Sequence, residues 1–197
     1  MWSLIVLIIP FAFSLTVSPG PNNVMAMASA TNFGYRRSLP VISGFAMGLG
    51  SMIFASGLGL GQIFIIFPLV HEIMKYVAVA YLLYLAWKIA GSGGVKETNV
   101  EQKPLSFIQG VLFQWVNPKA WIVSISAVAS FSMPDAEPLL QSSLIALIFT
   151  LVAFPSVSIW AVIGSTIAKY LQSPRVLKIF NLAIATLLVL SLLPLFT

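Results

Sequence analysis

Long apolar runs recur along this sequence, and they leave few folds open. A helix crosses a bilayer with about 20 apolar residues, and several of these runs reach that scale. Hydrocarbon offers no water to backbone N–H and C=O groups, so a spanning segment must satisfy them within itself. Two short stretches break that rule. Ser18-Pro19-Gly20-Pro21-Asn22-Asn23 sits inside the apolar segment that begins at Trp2. Val116-Asn117-Pro118-Lys119 sits inside another, about half a chain length later. Irregular backbone at membrane depth survives only against protein or a water-filled cavity. The two breaks are therefore expected to meet and to form a transport site.

Composition supports a membrane chain. Mean hydropathy is +1.00, and 59% of residues are hydrophobic against 8% charged. A length of 197 residues then limits the chain to about six spans. The net charge of +5 does not call for nucleic acid, because basic loops orient nearly every multi-span protein. With no cysteine there is no disulfide framework, thiolate metal site or nucleophilic thiol, and no cofactor is expected. Met1-Trp2-Ser3-Leu4-Ile5 lacks a basic n-region, and the apolar stretch continues past a typical h-region. It is expected to be a retained first span.

The expected fold is an all-α integral membrane domain. Span 1 covers about Trp2–Ala28, span 2 Pro40–Phe67, span 3 Tyr76–Ala90, span 4 Ser106–Ser132 and span 5 Leu139–Ala168, with span 6 following Lys178. Span 2 carries Gly44/Gly48 and Gly57/Gly61 at the spacing that lets helix backbones approach. The face from Gly44 to Ala55 is suited to a neighbouring span or a second protomer, as in a homodimer. The Gly57-to-Gly61 run reads equally as packing or as a loosened helix. His71, Glu72 and Lys75 read as a turn, and Pro134 to Pro138 as another. Pro155 is expected to interrupt span 5.

With six spans, Arg36, Arg37, Lys88, Lys96, Lys103, Lys169, Arg175 and Lys178 share one side, and Lys75 lies on the other. The positive-inside rule then puts both termini outside. Residues 91–105, the long polar loop, read as a cytoplasmic linker between a first three-helix repeat (1–90) and a second (106–197). Setting Pro21 against Pro118 aligns broken helices 1 and 4 and brings the glycine run opposite Pro155. An odd number of spans per repeat makes the repeats inverted, a recurring transporter plan with its site near the midplane.

Proline favours the first position of a helix, and asparagine is a good N-cap. Asn117 is thus expected to cap a half-helix from Pro118, with Gly20 or Ser18 in that role before Pro21. The two half-helix N-termini would point toward each other, each with free N–H groups and a partial positive charge. Lys119 lies about 20 Å of helical rise beyond Ser106. At such depth lysine costs about 2.5–3.5 kcal/mol to insert, and intramembrane charges are functional candidates by default. Lys119 either serves substrate or pairs with backbone carbonyls to stabilise the break. Trp115 and Trp121 either line a pocket or pack. Pro19, Gly20, Pro21, Asn22, Asn23, Gln114, Asn117, Pro118 and Lys119 form the expected substrate-binding set. No acidic residue falls within a span, so the site fits a small zwitterion or anion held by its carboxylate.

The chain resembles the LysE/RhtB superfamily of amino-acid exporters. The resemblance rests on Ser18-Pro19-Gly20-Pro21-Asn22, the Gly34-Tyr35-Arg36 turn, Ala80 to Lys88 (AYLLYLAWK) and Val116-Asn117-Pro118-Lys119-Ala120. Ser29-Ala30-Thr31 and Leu85 to Ala90 are most similar to the cysteine and O-acetylserine exporter branch. At Ala129-Ser130-Phe131-Ser132 the chain departs from the Leu-Pro-Gln-Phe type ending of many members. The resemblance implies efflux of small amino acids across the bacterial inner membrane, driven by an ion gradient. The proton (H+) is the expected coupling ion. With no intramembrane carboxylate, Lys119 or the substrate would carry the protonation change.

Two other classes compete. An ion or metal-ion transporter would want Cys, His or carboxylate ligands, which the spans lack. A membrane-embedded enzyme would need a nucleophile–base set or paired carboxylates, and none is available within the spans.

Overall fold

The computed structural model describes residues 2–60, 66, 68–91, 103–133, 135–171 and 173–192. All the regular structure among them is helical: α1 (Trp2–Val17), α2 (Pro21–Phe33), α3 (Tyr35–Gly57), α4 (Pro68–Ala90), α5 (Phe107–Val116), α6 (Pro118–Phe131), α7 (Pro138–Ile167) and α8 (Pro174–Leu190).

Proline sets most of the starts. Pro21, Pro118, Pro138 and Pro174 are each the first residue of a helix, the position where a missing N–H is harmless. Side chains close other ends. Ser106 and Gln109 form a reciprocal capping box on α5. The Glu137 carboxylate accepts from the N–H groups of Leu139 (3.0 Å) and Leu140 (2.6 Å) at the start of α7.

Several boundaries differ from expectation. α3 begins at Tyr35, and Glu72 and Lys75 lie within α4, so Arg36, Arg37, Glu72 and Lys75 are helical rather than in turns. Helices gain nothing by stopping at the hydrocarbon boundary, since each further residue still pairs its backbone internally. α7 runs unbroken through Pro155. There the hydroxyl of Ser156 donates to the Val152 carbonyl (2.8 Å), the i−4 back-bonding that serine makes within helices. The glycine run does end a helix. α3 stops at Gly57, and Gly59 takes φ 99°, a left-handed value that favours glycine. Gly61, residues 92–102 of the linker and Pro134 lie outside the described residues.

α3 and α7 cross as the central pair; α1 and α2 lie along α7, α5 and α6 along α3, and α4 pairs with α8. Glycines make the crossings close. A Cβ on Gly44 would overlap the Phe107 carbonyl and come within 3.0 Å of the Gly110 Cα. One on Gly110 would sit 2.6 Å from the Val41 carbonyl oxygen, and one on Gly164 would overlap the Met27 carbonyl. The Gly44/Gly48 face is therefore filled by α5 of the same chain, which leaves no room there for a second protomer.

Two apolar clusters result. One gathers α1, the later part of α3, α6 and the first half of α7 around Ile8, Met52, Ala127 and Phe149. The other gathers α2, the start of α3, α4, the end of α7 and α8 around Ala26, Phe45, Leu85 and Val157. The two helix breaks lie between them. Outward-facing side chains are large and apolar, including Val6, Leu69, Trp87, Ile122, Leu140 and Leu151. A surface of this kind suits lipid rather than water.

Candidate functional site

Ending α1 at Val17 frees carbonyls that no following turn can pair. Four side chains take them, the first being Ser18, whose hydroxyl donates to the Leu15 carbonyl (2.8 Å). The Asn23 amide Nδ2 donates to the carbonyls of Thr16 (2.9 Å) and Ser18 (2.8 Å). Trp160 Nε1 donates to Val17 (2.9 Å). Lys119 Nζ donates to the Ser18 carbonyl (2.7 Å), the Ser18 hydroxyl Oγ (2.7 Å) and the Pro19 carbonyl (3.2 Å). The two breaks thus meet, joined by one ammonium group.

Lys119 is the second residue of α6. That is the positive end of its own helix, where a cation is disfavoured. The C-terminal end of α1 explains its place, because that end carries the opposite partial charge and oxygens to match. Glycine makes the approach feasible. A Cβ on Gly20 would lie 2.7 Å from the Lys119 Cδ and 3.0 Å from Nζ. Gly20 is extended (φ −176°, ψ 174°), a conformation open to any residue, so space and not backbone freedom is what it contributes.

The second break is held by amides. Asn117 caps α6, its Oδ1 accepting from the Lys119 N–H (3.1 Å), while its carbonyl accepts from the N–H groups of Ala120 and Trp121. Asn117 Nδ2 donates to Gln114 Oε1 (3.1 Å), and Gln114 Nε2 donates to the Phe45 carbonyl (3.0 Å). Asn117 and Gln114 are 1% and 2% exposed. Both belong to the expected substrate-binding set, and both have their amide atoms engaged with protein.

The first break is left more open. Gly20 caps α2 without a side-chain bond, and Pro21 follows it. The first-turn N–H groups of Asn22 and Asn23 therefore have no acceptor within the helix, whose first backbone bond runs from Val24 to the Gly20 carbonyl. Asn23 is fully buried, and its Oδ1 has no hydrogen-bond partner. The two N-termini are thus unequal: α6 is capped and α2 is free to meet an anion. Ser18, Gly20 and Lys119 are half-buried and Pro19 is exposed, so one flank of this arrangement is open.

Trp115 and Trp121 pack edge to face, ring centroids 5.7 Å apart. Their indole N–H groups donate to the Ser51 hydroxyl (3.1 Å) and the Trp115 carbonyl (2.8 Å). Every residue of the two breaks stands out in the sequence, but the polar contacts around them do not. Thr16 donates to Ser156 (2.9 Å), and Ser56 pairs with Ser124 (2.9 Å). Toward the far end of α2, Thr31 donates to the Gly164 carbonyl (3.0 Å), and Asn32 and Asn181 exchange amide hydrogen bonds of 2.9 and 3.0 Å. A lone serine, threonine or asparagine in an apolar run carries no signal of its partner. For Ser18 one was available, since it stands beside a break that must be capped.

The chain matches the family described as LysE type translocator over residues 13–193. It is 31% identical over 175 residues to cysteine/O-acetylserine efflux proteins of Escherichia coli (strain K12), Shigella sonnei (strain Ss046) and Shigella flexneri, covering 88% of this chain and 87% of each relative. No solved structure matches it. A match that takes in both breaks and nearly all the helices leaves one assignment: the chain belongs to the LysE type translocator family, membrane transporters and not enzymes.

Proposed function

We propose that the protein is a secondary active exporter of small neutral amino acids or their derivatives, of the cysteine, O-acetylserine or homoserine and threonine type. It moves them from the cytoplasm across the bacterial inner membrane, with H+ as the coupling ion. The observation that carries this reading is the Lys119 ammonium, reaching from α6 into the break between α1 and α2 beside an uncapped helix N-terminus. A substrate carboxylate placed there meets the N–H groups of Asn22 and Asn23 and a full positive charge close by. The acceptors Lys119 now holds are neutral oxygens, so a carboxylate is the counter-charge the site lacks. The efflux proteins to which the chain is similar support an amino-acid cargo.

In this account the chain makes six spans: α1 with α2, α3, α4, α5 with α6, α7, and α8. Residues 1–90 and 106–197 are inverted repeats joined by the 91–105 linker. The arrangement favours such a repeat, since α1 and α2 pack on α7 as α5 and α6 pack on α3, while α3 with α7 and α4 with α8 form the self-paired contacts. Transport would proceed by rocking the halves around the joined breaks. The test is a growth-inhibition panel of amino acids and analogues, with and without overexpression. Protection against cysteine, O-acetylserine, homoserine or threonine is expected; protection against none of the panel would overturn the reading.

A further inference from the structure

The Lys119 ammonium sits on three oxygens, one for each of its N–H donors: the Ser18 carbonyl, the Ser18 hydroxyl and the Pro19 carbonyl. Nothing in that arrangement is particular to lysine. It is a seat for any primary ammonium, built from the carbonyl end of α1 and reinforced by the partial negative charge of that helix end. An amino-acid substrate carries the same group. The Asn23 amide shares the Ser18 carbonyl with Lys119. Its fully buried Oδ1 has no partner, one acceptor more than the lysine uses.

Resting on the exporter reading above, we propose that the carbonyl end of α1 is the binding site for the substrate's α-ammonium, and that Lys119 occupies it as a tethered stand-in while the carrier is empty. The incoming ammonium displaces Lys119. The freed lysine charge then faces the substrate carboxylate at the α2 N-terminus. Both charges of the zwitterion are matched, and Lys119 never lacks a partner at membrane depth. The exchange has a mechanical consequence. In the empty protein Lys119 ties α6, in one half, to the break in the other half; with substrate bound that tie is replaced by contacts through the ligand. A ligand that binds the untied state better shifts the population toward it.

The test uses the purified full-length Lys119→Ala variant in nanodiscs. n-Propylammonium restores, atom for atom, the three methylenes and the ammonium that the substitution removes. It is expected to raise the Tm of Lys119→Ala saturably and to leave the wild-type Tm unchanged. Tetramethylammonium, a cation of similar size without N–H groups, is expected to do neither. Adding Ser18→Ala to Lys119→Ala is expected to weaken the apparent Kd for n-propylammonium about tenfold, the equivalent of one charge-assisted hydrogen bond. No saturable shift, or an equal shift with tetramethylammonium, overturns the proposal, and does so even if wild-type efflux is intact. If Lys119→Ala does not fold, the wild type decides in everted vesicles. N-acetylated and des-amino analogues are expected to compete at least tenfold more weakly than the parent amino acid, and equal competition overturns the ammonium seat. Failure of the wild type to move any amino acid instead overturns the exporter reading.

Discussion

Lys119 and Ser18 lie far apart in the chain and are joined twice, the lysine Nζ standing 2.7 Å from both the carbonyl oxygen and the hydroxyl of the serine. One residue opens a half-helix and the other follows the end of one. Their contact puts the cationic side chain of α6 on the electronegative end of α1, which is the only helix polarity that stabilises it.

A side chain at Gly20 should disturb transport rather than folding. A Cβ there falls 2.7 Å from the Lys119 Cδ, so Gly20→Ala pushes the lysine stem off the break without touching the backbone conformation. Efflux measured at matched membrane abundance is expected to fall at least tenfold, with insertion unaffected. Normal efflux in Gly20→Ala would show that the lysine need not lie where it does.

The crossing of α3 and α5 should instead fail in folding. A Cβ on Gly44 overlaps the Phe107 carbonyl, and backbone cannot yield as a side-chain tip can. Gly44→Ala is expected to cost about 1–3 kcal/mol, the usual range for overpacking. Thermal unfolding in detergent reads this directly, and an unchanged Tm would argue against the close crossing.

Asn32 and Asn181 exchange two amide hydrogen bonds between α2 and α8. A double-mutant cycle to alanine is expected to give a coupling of about 0.6–1.7 kcal/mol, the span measured for such bonds between membrane helices. Strictly additive effects would mean that the pair does not form.

The chain has no cysteine, so single cysteines report topology without background. With the basic loops inside, Arg36→Cys and Arg175→Cys are expected to react with an impermeant maleimide only from the cytoplasmic side. Asp135→Cys is expected to react only from outside. The reverse labelling would invert the proposed orientation.

How much of this was legible in the sequence depends on the range of the interaction. The breaks, the Asn117 cap and the helix starts at Pro21 and Pro118 follow from local backbone chemistry, which a short motif carries in full. The Gly44/Gly48 spacing announced a close crossing, but only the fold names α5 as its partner. Gln114 reads as a free amide because polar groups in an apolar run look available; the structure shows it bonded to Asn117 and to the Phe45 carbonyl. The unequal capping of α2 and α6 was hidden for a related reason. Pattern makes the two breaks look alike, while their chemistry depends on whether glycine or asparagine precedes the proline.

If Lys119 joins the two breaks in order to serve transport, its charge is indispensable to efflux. Efflux by Lys119→Gln, compared with wild type at equal membrane abundance, tests it most directly. Efflux is expected to be abolished while the protein still inserts, because glutamine keeps a hydrogen-bonding tip but carries no charge for the carboxylate. Near-normal efflux from that variant would contradict it and would leave Lys119 as a brace for the helix break alone.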